Sequence, residues 1–407
     1  MFLKIKKITL LAHLAVSKPS LKYQQFEDRE WYSLRSILGN DWAMFYILLG
    51  GREAGKSWAT SKFFCNQFKK YGRPFFWLRL TEASKNKLLQ NNAESLVPSA
   101  IRRDLHLDLE TNGDNVYNVE RNKEGKVIKK TLMCRVKALS TFYNDKGSDL
   151  FDKDFLSDPN MYYNICLDEM NREKNERKTF DILYAFVNQL ENLVRSTKLR
   201  MRIIMIGNTL EEASDLMVGF NFIPEEFGRY YLVKNKKKLE QFNRELKEAT
   251  IHGGDKEKSE VYRKYKDVDF GHRCVIDYIP LNDAYKVRRM GTVADILMPE
   301  ASTFTNEIKI DISLVTKEKL MKPTQIIKFT KDKSTWFTIW DGYKIAPFNG
   351  EKISDVVHMI PYENTGLFDK KLVDNVYVRY MTNNYRFKNL LTQKKFKKQL
   401  ELLKPRG

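Results

Sequence analysis

Apolar residues cluster in short runs that alternate with segments of helical spacing over the first half of the chain. The runs are WAMFYILL (42–49), RPFFWLRL (73–80), YYNICL (162–167) and RIIMIG (202–207). Continuous apolar runs are typical of strands buried on both faces of a parallel sheet. Residues 56–72 and 179–196 carry their apolar side chains at helical spacing. This order of strands and helices predicts a doubly wound α/β domain.

Two regions beyond these runs show other patterns. Residues 117–136 are two β-rich stretches around Asn122–Gly125, which predicts a hairpin. Residues 234–266 consist largely of Lys, Glu and Asn and indicate an exposed, charged insertion. The short apolar run CVIDYIP (274–280) then predicts a strand that returns to the first domain.

The last quarter of the chain changes character. It alternates β-forming residues around the turn dipeptides Asp341-Gly342 and Asn349-Gly350, and it ends in a basic segment, 385–404, predicted to be helical. We therefore predict a first domain at 1–281 that includes the insertion, a partly helical linker at 282–312, and a small α+β domain at 313–407.

The net positive charge of the chain favours a polyanionic partner. Lys and Arg number 71 against 52 Asp and Glu, a formal net charge of +19. Nucleic acid fits this excess, although an anionic membrane surface or solubility alone would also account for it. The four widely spaced cysteines favour a reducing compartment over a disulfide framework.

No segment suggests insertion into a membrane. Residues 1–16 resemble a secretory leader, but Thr9 and His13 interrupt the apolar run, and export is not expected. No stretch elsewhere approaches the roughly 18 continuous apolar residues of a membrane span.

A phosphate-binding motif follows the first apolar run. Gly50–Ser57 reads GGREAGKS, the pattern G-x-x-x-x-G-K-S, between a predicted strand and a predicted helix. This context makes a chance glycine-rich turn a poor explanation. Backbone N–H groups of such a loop surround phosphates, the lysine reaches the β and γ phosphates, and the serine holds Mg²⁺. We expect ATP and Mg²⁺ to be bound by a set of nine residues: Gly50, Gly51, Arg52, Glu53, Ala54, Gly55, Lys56, Ser57 and Trp58.

Two acids follow another strand and complete the expected site. Asp168 is predicted to hold the metal, and Glu169 to orient and deprotonate the attacking water. A kinase needs no such base, so the pair favours ATP hydrolysis. The alternative is an acidic helix N-terminus of no catalytic use.

Further polar residues close the last strands of this domain. Asn208 is placed to sense the γ-phosphate or position water, or it is simply a turn residue. Arg195, Lys198, Arg200 and Arg202 either offset a helix dipole or include an arginine finger for a neighbouring subunit, for which we select Arg195.

These features together resemble one family, the DNA-packaging motor ATPases of small tailed bacteriophages, short-chain relatives of the large terminase subunits. The similarity rests on the loop with Arg52, "FKKYG", "WLR", the hairpin, "LDEMNREK", "NLVRSTKLRMR" and "IGN", in that order. It covers most of the chain, although the pieces beyond the loop and the acids are short. It implies a P-loop NTPase of the ASCE type.

The resemblance also implies partners and a place of action. It implies a homomeric ring, five subunits being expected, that docks on the portal of a procapsid in the host cytoplasm and drives double-stranded DNA inward. A packaging RNA is a further possible partner. Lys146 stands where the family has a basic residue that assists the neighbouring site, and Lys174 is a similar candidate; both are equally well explained as solvated lysines.

The C-terminal domain of the family resembles an RNase H-like nuclease, usually degenerate in the short motors. Active members need several carboxylates around two metal ions. The candidates here, Asp332, Asp341, Glu351 and Asp355, fall in or near turns and polar loops, so we expect no nuclease activity.

Contacts to DNA are expected to be made to phosphates, because a translocating motor must ignore sequence. Lys85, Lys87, Lys123 and Lys126 are the candidates, and ordinary solvation explains each of them as well. Two rival functions stay open. One is another P-loop ring ATPase or helicase, and the other is a portal-associated structural protein with an inactive nucleotide site.

Overall fold

The computed structural model describes residues 31–51, 54–141, 162–170, 181–194, 200–208, 214–224, 227–252 and 254–280, with short segments between 325 and 397. The chain divides into two compact units. The first comprises Met1–Thr209 and Glu226–Asn306, and the second Leu210–Glu225 and Glu307–Gly407. The predicted linker at 282–312 lies outside the described residues.

A nine-stranded sheet lies at the centre of the described part of the first unit. Its nine strands follow the order β3-β4-β5-β2-β6-β7-β1-β9-β8. The strands are β1 (Phe45–Gly50), β2 (Phe75–Arg79), β3 (Leu109–Asn112), β4 (Asn115–Arg121), β5 (Val127–Ala138), β6 (Tyr162–Leu167), β7 (Arg200–Gly207), β8 (Gly228–Leu232) and β9 (Cys274–Ile279).

Helices connect these strands. In the first unit they are α1 (Arg35–Leu38), α2 (Lys56–Tyr71), α3 (Glu82–Ala93), α4 (Ser99–Leu105), α5 (Ile182–Val194), α7 (Lys236–His252) and α8 (Asp255–Lys264). The short helix α6 (Ser214–Gly219) belongs to the second unit. Helix α2 ends where the sequence predicts, because the N–H of Gly72 bonds the carbonyl of Phe68 at 2.7 Å.

The centre of the sheet is parallel, as the continuous apolar runs predict. Strand β1 pairs in parallel with β7 and β9, β7 with β6, and β6 with β2. Strand β7 therefore stands between β1 and β6. In a parallel sheet the carboxyl ends of the strands share one edge, so the residues that follow β1, β2, β6 and β7 converge there.

Large apolar side chains from α2 and the sheet form the core of this unit. The ring of Phe64 on α2 lies 5.2 Å from that of Phe75 and 6.3 Å from that of Trp77, both on β2. All three are buried. The apolar residues that recur at helical spacing along α2 therefore face the sheet, as the sequence pattern predicts.

The four cysteines are buried free thiols. Burial raises the pKa of the Cys65 thiol to about 12, and it raises those of Cys134, Cys166 and Cys274 well above their ordinary value. The thiols therefore stay protonated and act as packing groups. No helix in the described residues is long and apolar enough to span a bilayer.

An antiparallel extension lies at one edge of the sheet. Strands β4 and β5 pair from Asn115↔Arg135 to Arg121↔Val127, and β3 pairs with β4 on the other side. The turn at Asn122–Gly125 is the predicted one, closed by a 3.0 Å bond from the N–H of Gly125 to the carbonyl of Asn122. Strand β5 continues into the parallel part by pairing with β2.

The segment at 234–266, predicted to be an exposed, charged insertion, is helical. It forms α7 and α8, with Leu239, Phe242 and Tyr265 buried in the core. Its charged side chains pair with each other at the surface, for example Lys264 with Glu245 at 2.8 Å. Because most residues of this segment are charged, its narrow stripe of apolar residues at helical spacing was not recognised in the sequence.

The second unit contains a mixed four-stranded sheet. Strands β10 (Gln325–Phe329), β11 (Trp336–Asp341), β12 (Val356–Met359) and β13 (Tyr385–Phe387) follow the order β12-β10-β11-β13. The predicted terminal helix is wrong at its start, because Tyr385–Phe387 pairs with β11 as an antiparallel edge strand. Aromatic residues favour strands, and the bonding edge of β11 provides the partner.

Candidate active site

Two glycines shape the turn that leaves β1. Gly50, the last residue of the strand, has φ +151°, and a Cβ there would lie 2.9 Å from the carbonyl oxygen of Ile279 on β9. Gly55 has φ +82° and caps the N-terminus of α2. A side chain at either position would strain the backbone or meet a neighbour, so the loop requires glycine. Arg52 and Glu53, in the middle of the loop, lie outside the described residues.

Lys56 is the first residue of α2 and is buried. Its ammonium group donates hydrogen bonds to the carbonyl oxygens of Gly50 at 2.8 Å and Gly51 at 2.6 Å. The loop thus folds back over its own lysine.

Ser57 meets the acid predicted to share its metal. Its hydroxyl donates a 3.0 Å hydrogen bond to Oδ1 of Asp168. Asp168 follows β6, and its own N–H bonds the carbonyl of Leu78 on β2 at 3.0 Å. The pairing of β6 with β2 therefore holds the carboxylate facing the start of α2.

Glu169 stands next to Asp168 in an unusual backbone conformation. Its φ is +55°, in the left-handed region that residues other than glycine seldom adopt. Its N–H bonds Oδ1 of Asp168 at 3.1 Å, and its side chain is 54% exposed. The N–H of Met170 bonds the carbonyl of Ile206 on β7, which returns the chain to the sheet. This turn directs the second acid outward into the site.

Arg79 forms ion pairs with both acids, a role that no motif in the sequence predicts. It ends β2, and its Nη2 lies 3.0 Å from Oδ2 of Asp168 while its Nη1 pairs with Glu169. Burial alone would lower the pKa of this guanidinium, but the two carboxylates outweigh burial and the pKa is raised. One feature could have indicated this role: Arg79 is a charged residue at the end of a fully buried strand.

These side chains surround a single cavity of about 330 Å³ at the carboxyl edge of the sheet. It joins residues from β1–α2, β2, the segment before α4, β6 and β7. Its lining includes the predicted residues Gly55, Lys56, Ser57, Trp58, Asp168, Glu169 and Asn208, and it adds Trp77, Arg79, Ser95, Leu96 and Pro98. The cavity is large enough for part of a nucleotide, and it opens to solvent, where the remainder of the ligand would lie.

The donor set of this cavity fits a hard divalent cation. The Ser57 hydroxyl and Asp168 carboxylate already lie within hydrogen-bonding distance. Mg²⁺ prefers oxygen ligands, and in nucleotide sites it takes only one or two carboxylates because phosphates and water supply the rest. In the described part of the chain, no three His, Cys, Asp or Glu side chains form a cluster of their own. The arrangement therefore suits a metal that arrives with phosphates.

Several predicted residues lie outside the described residues. They are Lys146, Lys174, Arg195 and Lys198, together with the side chain of Arg200. Arg202 is described, and its Nη1 donates to Oδ1 of Asn164 at 3.1 Å while its guanidinium lies 4.1 Å from the centre of the Tyr162 ring. Contacts within its own unit therefore occupy Arg202, which argues against it as a finger.

The four lysines selected for DNA contact differ in exposure. Lys87, Lys123 and Lys126 are exposed. Lys85 is buried, lies 2.7 Å from Oδ1 of Asp114, and also pairs with Glu82. The selection of Lys85 is therefore wrong: two carboxylates neutralise its charge, and its pKa is raised because they outweigh the effect of burial.

Comparison with solved structures supports the fold. A structure described as the Phi-28 gp11 DNA packaging motor matches 93% of this chain and 99% of its own, with a TM-score of 0.52 at 12% identity. One described as the bacteriophage Phi-29 viral genome packaging motor assembly matches 92% of this chain and 100% of its own, with a TM-score of 0.51 at 16% identity.

The searches against protein-family models and against curated proteins find no match. At 12 and 16% identity, the two structures establish likeness of fold. The predicted α/β fold is therefore confirmed, and the resemblance to phage packaging motors is confirmed at the level of the fold.

Proposed function

We propose that this chain is an ATP-hydrolysing motor that moves double-stranded DNA into a viral procapsid. The observation that carries the proposal is the convergence of Lys56, Ser57, Asp168 and Glu169 on one cavity. These residues come from two separate segments of the chain, and together they contain every group that phosphoryl transfer to water requires from one subunit. The shared fold of two phage packaging motors supports the choice of DNA as the transported polymer.

The cavity is proposed to bind ATP with Mg²⁺. Ser57 and Asp168 would hold the metal, and Lys56 with the N–H groups of the loop would hold the phosphates. When bound, Mg²⁺ neutralises charge on the β and γ phosphates. Lys56 would exchange the carbonyls of Gly50 and Gly51 for phosphate oxygens. Its ammonium group would therefore have hydrogen-bond acceptors both without and with bound ATP.

Glu169 is the proposed general base. Its exposed carboxylate accepts a proton from water as the water oxygen forms a bond to the γ phosphorus and the bond to the leaving oxygen breaks. Arg79 holds that carboxylate in the described conformation. The guanidinium thus orients Glu169 through one nitrogen, and through the other it holds Asp168 turned towards Ser57. Asn208, at the end of β7, lines the same cavity and is proposed to contact the γ-phosphate or the water.

The proposed assembly is a ring, expected to be a pentamer, docked on the portal in the host cytoplasm. A neighbouring subunit would supply Arg195 and Lys146 to each site. Sequence-indifferent contact with DNA phosphates would involve the exposed lysines Lys87, Lys123 and Lys126. A packaging RNA is a possible further partner. The C-terminal domain is proposed to be RNase H-like and without nuclease activity, and to serve in docking.

Separating nucleotide binding from turnover tests the proposed chemistry. Lys56→Ala is expected to lose binding of Mg·ATP, whereas Glu169→Gln is expected to bind it normally and hydrolyse it at least a hundredfold more slowly. Equilibrium binding of a labelled ATP analogue and phosphate release give the two quantities. Normal turnover by Glu169→Gln would remove the general base from the proposal, and normal binding by Lys56→Ala would remove the site.

A further inference from the structure

A backbone hydrogen bond joins the phosphate-binding loop to a segment outside the motif. The N–H of Tyr32 donates to the carbonyl of Ala54 at 3.0 Å. Ala54 is 1% exposed, and a buried carbonyl without a partner is costly, so this bond favours one conformation of the loop. Tyr32 belongs to residues 31–38, which we call the strap.

The first residue of the strap packs against the last glycine of the loop. A Cβ built on Gly55 would lie 2.9 Å from Cε3 of Trp31 and 3.8 Å from its Cβ. Gly55, at φ +82°, caps the N-terminus of α2, one residue before Lys56. Glycine has the greatest backbone freedom of all residues, and contact with a bulky side chain reduces that freedom. Trp31 therefore restricts the turn from which α2 starts.

A buried carboxylate anchors the strap to the sheet. The Tyr32 hydroxyl donates to Oδ2 of Asp277 at 2.8 Å. Asp277 is fully buried on β9, where it lies opposite Leu48 of β1, two residues before the loop begins at Gly50. Tyr32 therefore connects the loop with the strand that lies beside β1.

Arg229 fixes the position of this carboxylate. It lies opposite Asp277 on β8 and donates to Oδ1 at 2.6 Å and to Oδ2 at 2.7 Å. It also donates to the carbonyl of Ser36 at 3.1 Å and to the Ser36 hydroxyl at 2.9 Å. Burial alone would lower the pKa of Arg229, but the hydrogen bonds and charge of Asp277 outweigh burial and raise it. Such a buried ion pair costs much desolvation, and its clearest effect is to specify one arrangement of the strap.

A glycine-rich loop gains affinity from contacts that fix its shape before the ligand arrives. Its glycines permit the turns that the loop needs, but they also leave other conformations open. When only a fraction of the molecules hold the binding conformation, the apparent Kd rises by the inverse of that fraction. Contacts from the strap to Ala54 and Gly55 increase this fraction.

We infer that Tyr32 is a positioning residue that, together with Trp31, holds the loop in the conformation that binds the triphosphate of the nucleotide. Asp277 and Arg229 act through Tyr32. The inference rests on the proposed nucleotide site and deepens it. The strap takes no part in the proton transfer assigned to Glu169. Loosening it should therefore raise KM and leave kcat nearly unchanged, because saturating ligand itself selects the binding conformation.

The first test removes a single hydroxyl group. Tyr32→Phe loses the hydrogen bond to Asp277 but keeps the ring, and the carboxylate keeps both bonds from Arg229. Calorimetric titrations of the full chain use Mg·ATP and magnesium tripolyphosphate, and phosphate release gives KM and kcat. The matched control is Tyr265→Phe, which removes a 3.0 Å hydrogen bond from another tyrosine hydroxyl to the carboxylate of Glu245 on α7.

Tyr32→Phe is expected to weaken the binding of both ligands equally, by about fivefold, and to raise KM by the same factor. We expect kcat to stay within about twofold of the wild-type value. Tyr265→Phe is expected to change none of these quantities.

The second test concerns the side chain that packs on Gly55. Trp31→Ala is expected to weaken the binding of both ligands equally, as Tyr32→Phe does. Trp31→Phe is expected to restore most of the affinity, because a smaller ring still restricts the turn. Equal affinities in Trp31→Ala and the wild type would remove Trp31 from the inference.

The comparison of ligands separates failure of the inference from failure of the nucleotide site. Wild-type affinities in Tyr32→Phe would overturn the inference and leave the site intact. A loss for Mg·ATP without a loss for tripolyphosphate would also overturn it, because the strap would then act on the nucleoside. An equal loss in Tyr265→Phe would contradict a specific role of the strap. Failure of the wild type to bind either ligand would overturn the nucleotide site, and the inference with it.

Discussion

The hydroxyl of Ser57 and the carboxylate of Asp168 are joined by a 3.0 Å hydrogen bond across 111 positions of sequence. Ser57 is at the start of α2 after β1, and Asp168 follows β6, with β7 between the two strands. The strand order thus brings a hydroxyl and a carboxylate to the same point at the edge of the sheet. These two side chains are the ones proposed to hold Mg²⁺.

Removing the charge of Asp168 is expected to abolish the dependence of nucleotide binding on magnesium. Asp168→Asn keeps an oxygen for Ser57 but is a poorer ligand for Mg²⁺. ATP binding measured with Mg²⁺ and with EDTA should differ at least tenfold in the wild type and by less than about twofold in the variant. A variant with the full magnesium effect would exclude Asp168 from the metal site.

The contact between Arg79 and Asp168 is expected to stabilise the fold as a pair. Their side chains are 11% and 5% exposed, so either alone leaves a buried charge. Arg79→Met should reduce the free energy of unfolding by about 3 kcal/mol. Arg79→Met combined with Asp168→Asn should cost at least about 1 kcal/mol less than the sum of the single changes. Urea titrations of the four proteins measure this coupling, and strictly additive values would contradict it.

The ion pair between the buried Lys85 and Asp114, in the antiparallel extension of the sheet, is expected to stabilise the fold over a limited pH range. Burial alone would raise the pKa of Asp114, but hydrogen bonds from Lys85 and Lys137 outweigh it and lower the pKa below 3.8. The contribution of Asp114 is therefore present above pH 3.8 and is lost as pH falls through the lowered pKa. That of Lys85 is present below pH 10.5 and is lost as pH rises through its raised pKa.

The free energy of unfolding should therefore fall more steeply between pH 7 and pH 3 for the wild type than for Asp114→Asn. The sign follows because the unfolded chain binds more protons than the folded chain over the acid part of this range. Parallel curves for the two proteins would show that Asp114 contributes nothing through its charge.

The hairpin lysines are expected to contact DNA phosphates without regard to sequence. Lys123 and Lys126 are exposed at the β4–β5 turn. Changing each to Gln should weaken binding of double-stranded DNA for all sequences and reduce the slope of log affinity against log salt by about one per lysine. Lys256→Gln, an exposed lysine on α8, is the control. An unchanged slope would exclude the hairpin as a DNA contact.

Sequence patterns predicted the centre of the fold better than its edges. The four buried strands and the loop follow from continuous apolar runs and from glycines with a backbone reason to be there. Helices α7 and α8 were hidden because most of their surface is charged. The strand Tyr385–Phe387 depends on a partner strand far away in sequence, which local propensity does not contain.

The site shows the same division. Lys56, Ser57, Asp168 and Glu169 belong to motifs with fixed spacing and were predicted, and the cavity brings them together. Arg79 acts through contacts made across the sheet, and no spacing in the sequence reveals it. Burial, which decides that Lys85 is a structural residue, is likewise a property of the fold.

The most direct test of the central proposal is ATP turnover by the purified chain with and without double-stranded DNA, at low and moderate salt, beside Glu169→Gln. DNA is expected to stimulate turnover, and the stimulation is expected to weaken as salt rises because the contacts are to phosphates. Glu169→Gln is expected to show no turnover. Adding procapsids that carry a portal supplies the docking site of the proposed ring. ATP bound but never hydrolysed, with DNA and portal both present, would contradict a DNA-translocating ATPase.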